Sequence, residues 1–364
     1  MSVALSRHEL RVAEVRREAP DAVSVRFDVP DDATGAFRYS AGQYLTLCRE
    51  FGGEELRRCY SICAKPGCGE LWVGVREEDG GRFSGWLNRD ARAGDRLSVL
   101  PPDGRFTFDP QDDARNLLLV AAGSGITPVL SILETALAET DDAAVTLIYA
   151  NRDADHIMFR ERLSDLKDRY LSRLRLFHIL SRERSEVDLV DGRIDAAKCA
   201  QFFGEAGIAP AKGFDRAYLC GPEELMNTVA GSLSAYGLEK SQIRRELFLN
   251  ENSPPPKPRD GAAPEPALEG AQVTVILDQR QRTLVFDPAL GNILDAARAA
   301  GMDVPYACKA GVCATCRAHV SDGEVVMARN QALEEDELSR GFVLTCQSTP
   351  RTRSVVIDYD RRDG

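Results

Sequence analysis

No apolar run in this chain approaches the roughly 20 residues that a membrane-spanning helix requires, so no membrane partner is expected. The opening residues, Met1 to Val15, lack the basic-then-apolar order of a secretory signal, and the cytoplasm is the expected compartment. Histidine is scarce, and His8, His156, His178 and His319 form no constellation; His156 and His178 read as structural. Basic residues are outnumbered: 46 Lys+Arg against 57 Asp+Glu give a net charge of −11. That balance argues against a nucleic-acid partner, while an anionic patch still suits steering toward a basic docking surface. No internal repeat is visible.

What is present is a soluble, globular composition, 43% hydrophobic and 28% charged, over 364 residues. That length suggests two or three domains. Glu251 to Gly270 carries six prolines and reads as a semi-rigid linker. It sets expected boundaries at 1–112, 113–250, 251–271 (linker) and 272–364. The first segment alternates in short runs (Ala22–Val29, Gln43–Leu47, Leu71–Arg76, Arg96–Leu100), which predicts an antiparallel barrel or sandwich. In the second, apolar strands (Asn116–Ala121, Val145–Tyr149, Leu174–Leu180, Arg216–Leu219) alternate with helical stretches (Val129–Ala138, Glu223–Tyr236). That pattern predicts a parallel sheet with flanking helices. After the linker, Val273–Leu277 and Thr283–Phe286 predict a hairpin around Asp278–Arg282, and Asn292–Ala300 a short helix closed by Gly301.

The ten cysteines do not suggest disulfides in a long chain without a signal. Cys308, Cys313 and Cys316 are separated by four and two residues, and Cys346 follows much later. This is the plant-type [2Fe–2S] spacing, in which three thiolates from one loop and a fourth from elsewhere complete two tetrahedral irons. Gly311, Ala310 and Ala314 let backbone amides come near the sulfides. Zinc held by four cysteines is the alternative, but such sites usually pair two close knuckles, and Cys346 has no close partner. Cys48, Cys59, Cys63, Cys68 and Cys199 show no ligand spacing.

Arg58-Cys59-Tyr60-Ser61 and Gly80-Gly81-Arg82-Phe83-Ser84 are each weak signals alone. Together they offer a guanidinium for a pyrophosphate, a ring to cover a flavin, and polar donors around it. Arg58 and Tyr60 share a strand face. Gly80 and Gly81 allow close backbone approach, and Ser84 is a candidate helix cap. Gly123-Ser124-Gly125-Ile126-Thr127-Pro128 follows an apolar strand and opens a helix, a loop suited to a dinucleotide pyrophosphate. It is not the GxGxxG fingerprint.

These motifs, in this order and followed by Cys220-Gly221-Pro222, resemble the ferredoxin–NADP reductase-like family over residues 1–250. The resemblance implies an antiparallel Greek-key β-barrel that binds FAD and an α/β parallel-sheet nucleotide domain. Arg58, Tyr60, Ser61, Gly81 and Ser84 would then hold FAD. Gly123, Thr127, Cys220, Gly221 and Pro222 would face the nucleotide, with Cys220 near the hydride path. Glu246 and Phe248 match positions that line the flavin; Phe248 reads equally well as a core residue. Ser181 and Arg182 resemble a 2′-phosphate site, with Arg152 and Arg193 as further candidates, and favour NADPH over NADH.

The residues around the cysteines, Val304 to Cys316 and Leu344 to Gln347, resemble the ferredoxin-like module of oxygenase reductases, which implies an α+β β-grasp domain. Over the whole chain, Met158-Phe159-Arg160, Gly192 to Asp195, Cys313 to Ala318, Met327 to Asn330 and Leu333 to Leu338 resemble the reductases of phenylacetyl-CoA epoxidases. The longer proline-rich linker is the main departure. The resemblance implies an NADPH-oxidising reductase of phenylacetate catabolism. It would pass electrons from NADPH to FAD, to the [2Fe–2S] cluster, and on to a di-iron oxygenase. A reductase of a Rieske-type or steroid-hydroxylating oxygenase shares every cofactor motif. A stand-alone NAD(P)H oxidase or nitrosative-stress reductase, or a non-enzymatic redox sensor, also stays open at this point.

Overall fold

The structure of the protein is a computed structural model that describes residues 7–184, 187–248 and 268–361. Most of the proline-rich stretch therefore lies outside the described residues. Two compact units are formed, one carrying the first two expected domains and the other the C-terminal one.

The first unit begins with β1 (His8–Ala19), β2 (Ala22–Asp28), β3 (Tyr44–Phe51), β4 (Glu54–Ser61), β5 (Leu71–Arg76), α1 (Arg82–Arg89) and β6 (Arg96–Asp103). The six strands pair in the order β4-β3-β6-β1-β2-β5. The sheet curls until its two edges meet. An antiparallel bridge joins Ile62 to Val73, and the Cys63 amide donates to the Trp72 carbonyl at 2.9 Å. These contacts join the two edges and close the sheet into a barrel. The expected strands all form, with ends shifted by a few residues.

Next come β7 (Asn116–Ala122), α2 (Ile126–Glu139), β8 (Ala144–Asn151), α3 (Arg160–Arg169), β9 (Leu174–Leu180), α4 (Ala196–Phe203), β10 (Arg216–Gly221), α5 (Glu223–Ala235) and β11 (Ile243–Leu247). The strands pair in parallel in the order β11-β10-β7-β8-β9. Helix α2 is apolar nearly all round, as a helix sandwiched on both sides must be. One hydrophobic core runs from barrel residues such as Val25 and Val73 through Val129 and Leu133 to Leu119 and Leu147. A second core covers the other sheet face beneath α4 and α5. Gly74 shows how close the barrel comes: a Cβ there would sit 2.4 Å from Thr127 Cγ2.

The second unit contains β12 (Gln272–Leu277), β13 (Arg280–Val285), α6 (Ile293–Ala299), β14 (Arg317–Asp322), β15 (Val325–Met327), α7 (Glu335–Ser339), β16 (Phe342–Leu344), β17 (Ser348–Pro350) and β18 (Ser354–Asp358). Its main sheet has the order β13-β12-β18-β14-β16, with β12 and β18 parallel. Strands β15 and β17 form a separate pair. The β12–β13 hairpin is tighter than its sequence suggests. Its turn is Asp278-Gln279 alone, both at left-handed φ (52° and 61°). Asp360 makes that turn possible by accepting both amides, at 2.8 and 2.6 Å. Asn292 caps α6 through the Asp295 amide at 2.9 Å, and Gly301 ends the segment at φ 80°. Among the described residues no helix is long and apolar enough to cross a membrane.

Candidate functional site

Strand β4 ends at Ser61, which is buried, while Arg58 and Tyr60 are half-buried. The Tyr60 ring lies 5.9 Å from Phe83 at a tilt. Helix α1 starts at Arg82 with Gly81 as its N-cap, and no side chain caps it. Ser84 is therefore not the cap its sequence position suggests. It sits inside the first turn, where its Oγ accepts from the Glu78 amide at 3.1 Å. A Cβ at Gly81 would come within 2.4 Å of that oxygen, so a side chain there would displace the Ser84 hydroxyl from the Glu78 amide.

In the parallel register, Cys220 of β10 lies beside Glu246 of β11. Ser61 hydrogen-bonds the Glu246 carboxyl. The residue keeps some exposure, but Oε2 is buried with no hydrogen-bond partner. Burial pushes the Glu246 carboxyl up to about 8 against the partial restraint of Ser61, so it is a neutral acid at pH 7. Burial, and then the nearby Glu246, raise the Cys220 thiol well above its ordinary value. Ser61, Cys220 and Glu246, far apart in sequence, thus converge. Phe248 follows β11 and packs, half-buried, on the core shared by barrel and sheet. An orphaned acid oxygen, a glycine turn and an aromatic pair make a donor set that fits a flavin.

At the carboxyl edge of the sheet, Gly123 turns at φ 57° and Thr127, fully buried, donates to the Ser124 carbonyl at 3.0 Å. A Cβ at Gly125 would lie 2.2 Å from the Cys220 carbonyl, so the loop and Cys220 are in direct contact. Pro222 is the N-cap of α5. The loop precedes the 14-residue α2, whose N-terminus has no side-chain cap and suits a pyrophosphate. Ser181 and Arg182 are exposed just past β9, their amides bonded to the Asn151 and Arg152 carbonyls at 3.0 and 2.7 Å. Arg152 itself is turned toward Asp21 at 3.1 Å. Arg193 is exposed and follows Gly192, whose amide donates to the Leu180 carbonyl at 2.8 Å. His156 pairs with Asp153, and burial, then Arg160, keeps His178 below its ordinary range. Both fit structural roles.

The four spaced cysteines belong to the second unit. Their loop takes left-handed φ at Lys309 (53°), Gly311 (79°) and Ala314 (56°), which coils the backbone around the sulfurs. The Ala310 amide donates to Cys308 Sγ at 3.3 Å and the Thr315 hydroxyl to Cys313 Sγ at 3.2 Å. The thiols face each other as Cys308 with Cys313 and Cys316 with Cys346, and these contacts raise the Cys308 and Cys316 thiols. Two pairs suit two irons. Thr345 ties the second pair together: its amide and hydroxyl donate to the Cys316 carbonyl at 3.2 and 3.0 Å. The buried Tyr359 hydroxyl meets Thr345 Oγ1 at 2.7 Å. Of the other cysteines, Cys48, Cys63 and Cys199 are buried, and burial pushes Cys63 up to about 12, leaving an inert thiol.

Three polar groups near the Gly123–Gly125 loop give no signal in the sequence: Asp21, Arg76 and Asn151. Asp21 and Arg76 face each other at 3.6 Å. They belong to a barrel hairpin and strand that only the fold brings to the sheet.

Three domain families match the chain: the oxidoreductase FAD-binding domain over residues 9–108, the oxidoreductase NAD-binding domain over 119–231, and the 2Fe-2S iron-sulfur cluster binding domain over 275–351. The chain is 43% identical to a component of the 1,2-phenylacetyl-CoA epoxidase of Escherichia coli (strain K12), covering 98% of each. It is 36% identical to the ferredoxin reductase component of 3-ketosteroid-9-alpha-monooxygenase from Mycobacterium tuberculosis (strain CDC 1551 / Oshkosh), covering 97% of this chain and 96% of that one. Among solved structures, phthalate dioxygenase reductase superposes with a TM-score of 0.59 at 26% identity, over 97% of this chain and 98% of that one. The chain belongs to the family of modular flavin- and [2Fe–2S]-containing oxidoreductases that includes these proteins, and it is an NAD(P)H-dependent flavoprotein reductase.

Proposed function

We propose that this reductase takes electrons from NADPH and delivers them to the di-iron oxygenase component of a phenylacetyl-CoA epoxidase in the cytoplasm. The domains would run 1–112, 113–250 and 272–364, joined by the proline-rich segment. When bound, FAD supplies the conversion from a two-electron hydride donor to single electrons, and the [2Fe–2S] cluster carries them one at a time.

The convergence of Ser61, Glu246 and Cys220 carries the reductase half of this reading. Arg58, Tyr60, Ser61, Gly81 and Ser84 would bind FAD. Gly123, Thr127, Gly221 and Pro222 would hold the nucleotide backbone, and Ser181 and Arg182 its 2′-phosphate. Glu246 holds a proton at its carboxyl, so no negative charge stands beside Cys220 to repel incoming hydride. Cys220, a neutral thiol, fills the space next to Glu246 without adding charge. Phe248 offers an apolar ring that would exclude water there. Cys308, Cys313, Cys316 and Cys346 would ligate the cluster as two pairs.

The end-to-end likeness to the epoxidase component favours that partner. The test is reconstitution: purified chain and NADPH are added to the epoxidase oxygenase, and oxygen insertion into phenylacetyl-CoA is followed by mass. Product that depends on this chain is expected. Brisk dye reduction without product would redirect the relay to another oxygenase, the steroid hydroxylases first, given the 36% likeness.

A further inference from the structure

Cys346 reaches the other three thiols from a separate part of the chain, so the Cys308–Cys316 loop has to be held at a fixed distance from it. Thr345 bonds the Cys316 end of that loop. Gln347, on the other side of Cys346, reaches the Cys308 end. Its Nε2 lies 2.9 Å from the Lys309 carbonyl, 3.0 Å from the Cys346 carbonyl and 3.6 Å from Cys346 Sγ. Three acceptors around one atom require the amide nitrogen there, since the oxygen end cannot donate. One N–H serves the loop, and the other is shared between the carbonyl and the sulfur of Cys346.

The surroundings keep this side chain in place. The Gln347 carbonyl accepts from the Ala328 amide at 2.8 Å, and the Gly311 carbonyl from the Gln331 amide at 3.0 Å. A Cβ at Gly311 would stand 3.1 Å from Gln347 Cγ, so the glutamine stem lies along the loop. The Lys309 ammonium is tied to Asp295 of α6 at 2.6 Å. Lys309 is therefore fixed at its side chain by α6 and at its carbonyl by Gln347. Cys308 and Cys313 receive their hydrogen bonds from inside the loop, from Ala310 and Thr315. Cys346 receives one from a side chain that also grips the loop.

We propose that Gln347 is a positioning residue for the [2Fe–2S] site, fastening the loop to the fourth ligand and raising the reduction potential through its N–H on the Cys346 sulfur. The proposal rests on reading the four cysteines as the cluster ligands. Reduction adds a negative charge that the thiolate sulfurs share, and an N–H aimed at one of them favours the reduced state. The same amide, bonded to Lys309, resists separation of the loop from Cys346.

The test is a redox titration of the full-length holoprotein, read from the spin signal of the reduced cluster, for wild type and Gln347→Met. Loss of cluster absorbance under chelator is followed alongside. Methionine keeps an unbranched side chain of similar length and has no N–H. One-electron reduction should become about tenfold less favourable, a fall of about 59 mV in midpoint, and bleaching should be several-fold faster. A reduction equilibrium within about twofold of wild type, below the worth of one hydrogen bond to a charged group, would overturn the proposal; faster bleaching alone would make the amide merely structural. Gln347→Glu should lower the midpoint at least as far, because a carboxylate donates nothing and adds negative charge; a midpoint at or above wild type would equally overturn it. If the methionine variant takes up no cluster, Gln347→Leu carries the same expectation. Wild type that takes up zinc and no [2Fe–2S] cluster would remove the cluster reading itself, and this proposal with it.

Discussion

Replacing Glu246 with glutamine removes a proton that the fold keeps on a carboxyl oxygen well past the pH at which glutamate ionises. The carboxyl rises from 4.5 to about 8, first because of burial, with Ser61 opposing. At about 1.4 kcal/mol per pH unit, that gap favours the neutral acid by about 5 kcal/mol. The sign follows from proton counting. Between these two values the folded chain keeps the proton and the unfolded chain has lost it, so the stabilisation is complete below 4.5 and disappears as pH rises through about 8. Glutamine is neutral throughout and has no such slope. The wild-type-minus-Glu246→Gln difference in stability should therefore fall by about 3 kcal/mol from about pH 5.5 to about 7.5. For a unit of this size that is a change of about 5–10 °C in the difference between thermal midpoints. Asp112 and Asp153, both lowered chiefly by their ion-pair hydrogen bonds, act on the acid side and cancel in the difference. Infrared titration gives the direct readout: a protonated-carboxyl C=O band that disappears near pH 8 and is missing from the variant. A flat or rising stability difference, or a band already gone by about pH 6, would refute the reasoning.

Two further outcomes are expected. Arg182→Ala should raise KM for NADPH at least tenfold and leave NADH nearly unchanged, because the exposed guanidinium would meet only the 2′-phosphate; equal effects on both in steady-state kinetics would dismiss that role. Tyr359→Phe removes the hydroxyl that meets Thr345, so the hold on the Cys316–Cys346 pair loosens. The cluster's visible absorbance should bleach several-fold faster under chelator, with flavin reduction unaffected; an unchanged bleaching rate would show that Thr345 suffices alone.

How much is legible in the sequence depends on how local each feature is. Cys308, Cys313 and Cys316 come from one coiled loop, so their spacing states their chemistry, and the loop takes the left-handed turns this needs at Gly311 and Ala314. Strand patterns are readable because alternation and apolar runs are written along the strand itself. Ser84 has the chemistry of a cap, yet Gly81 occupies that position and leaves Ser84 inside the first turn. The hairpin turn at Asp278-Gln279 is shorter than its sequence suggests because the residue that secures it, Asp360, lies more than eighty positions away. The meeting of Ser61, Cys220 and Glu246 depends on strand register, which family motifs hint at and periodicity does not. Asn151 carries no signal, since an asparagine at a strand end reads as loop. Its burial at the tip of β8, beside Tyr149, exists only in the fold.

The central claim is a relay in which flavin and cluster are separable steps, and Cys313→Ser tests it most directly. Under anaerobic conditions NADPH is added to the variant while flavin absorbance and the spin signal of a reduced [2Fe–2S] cluster are recorded. The account predicts flavin bleaching at the wild-type rate, no cluster signal, and no electron delivery to a one-electron acceptor that depends on the cluster. Loss of flavin bleaching in a correctly folded variant, or a persisting cluster signal, would contradict it.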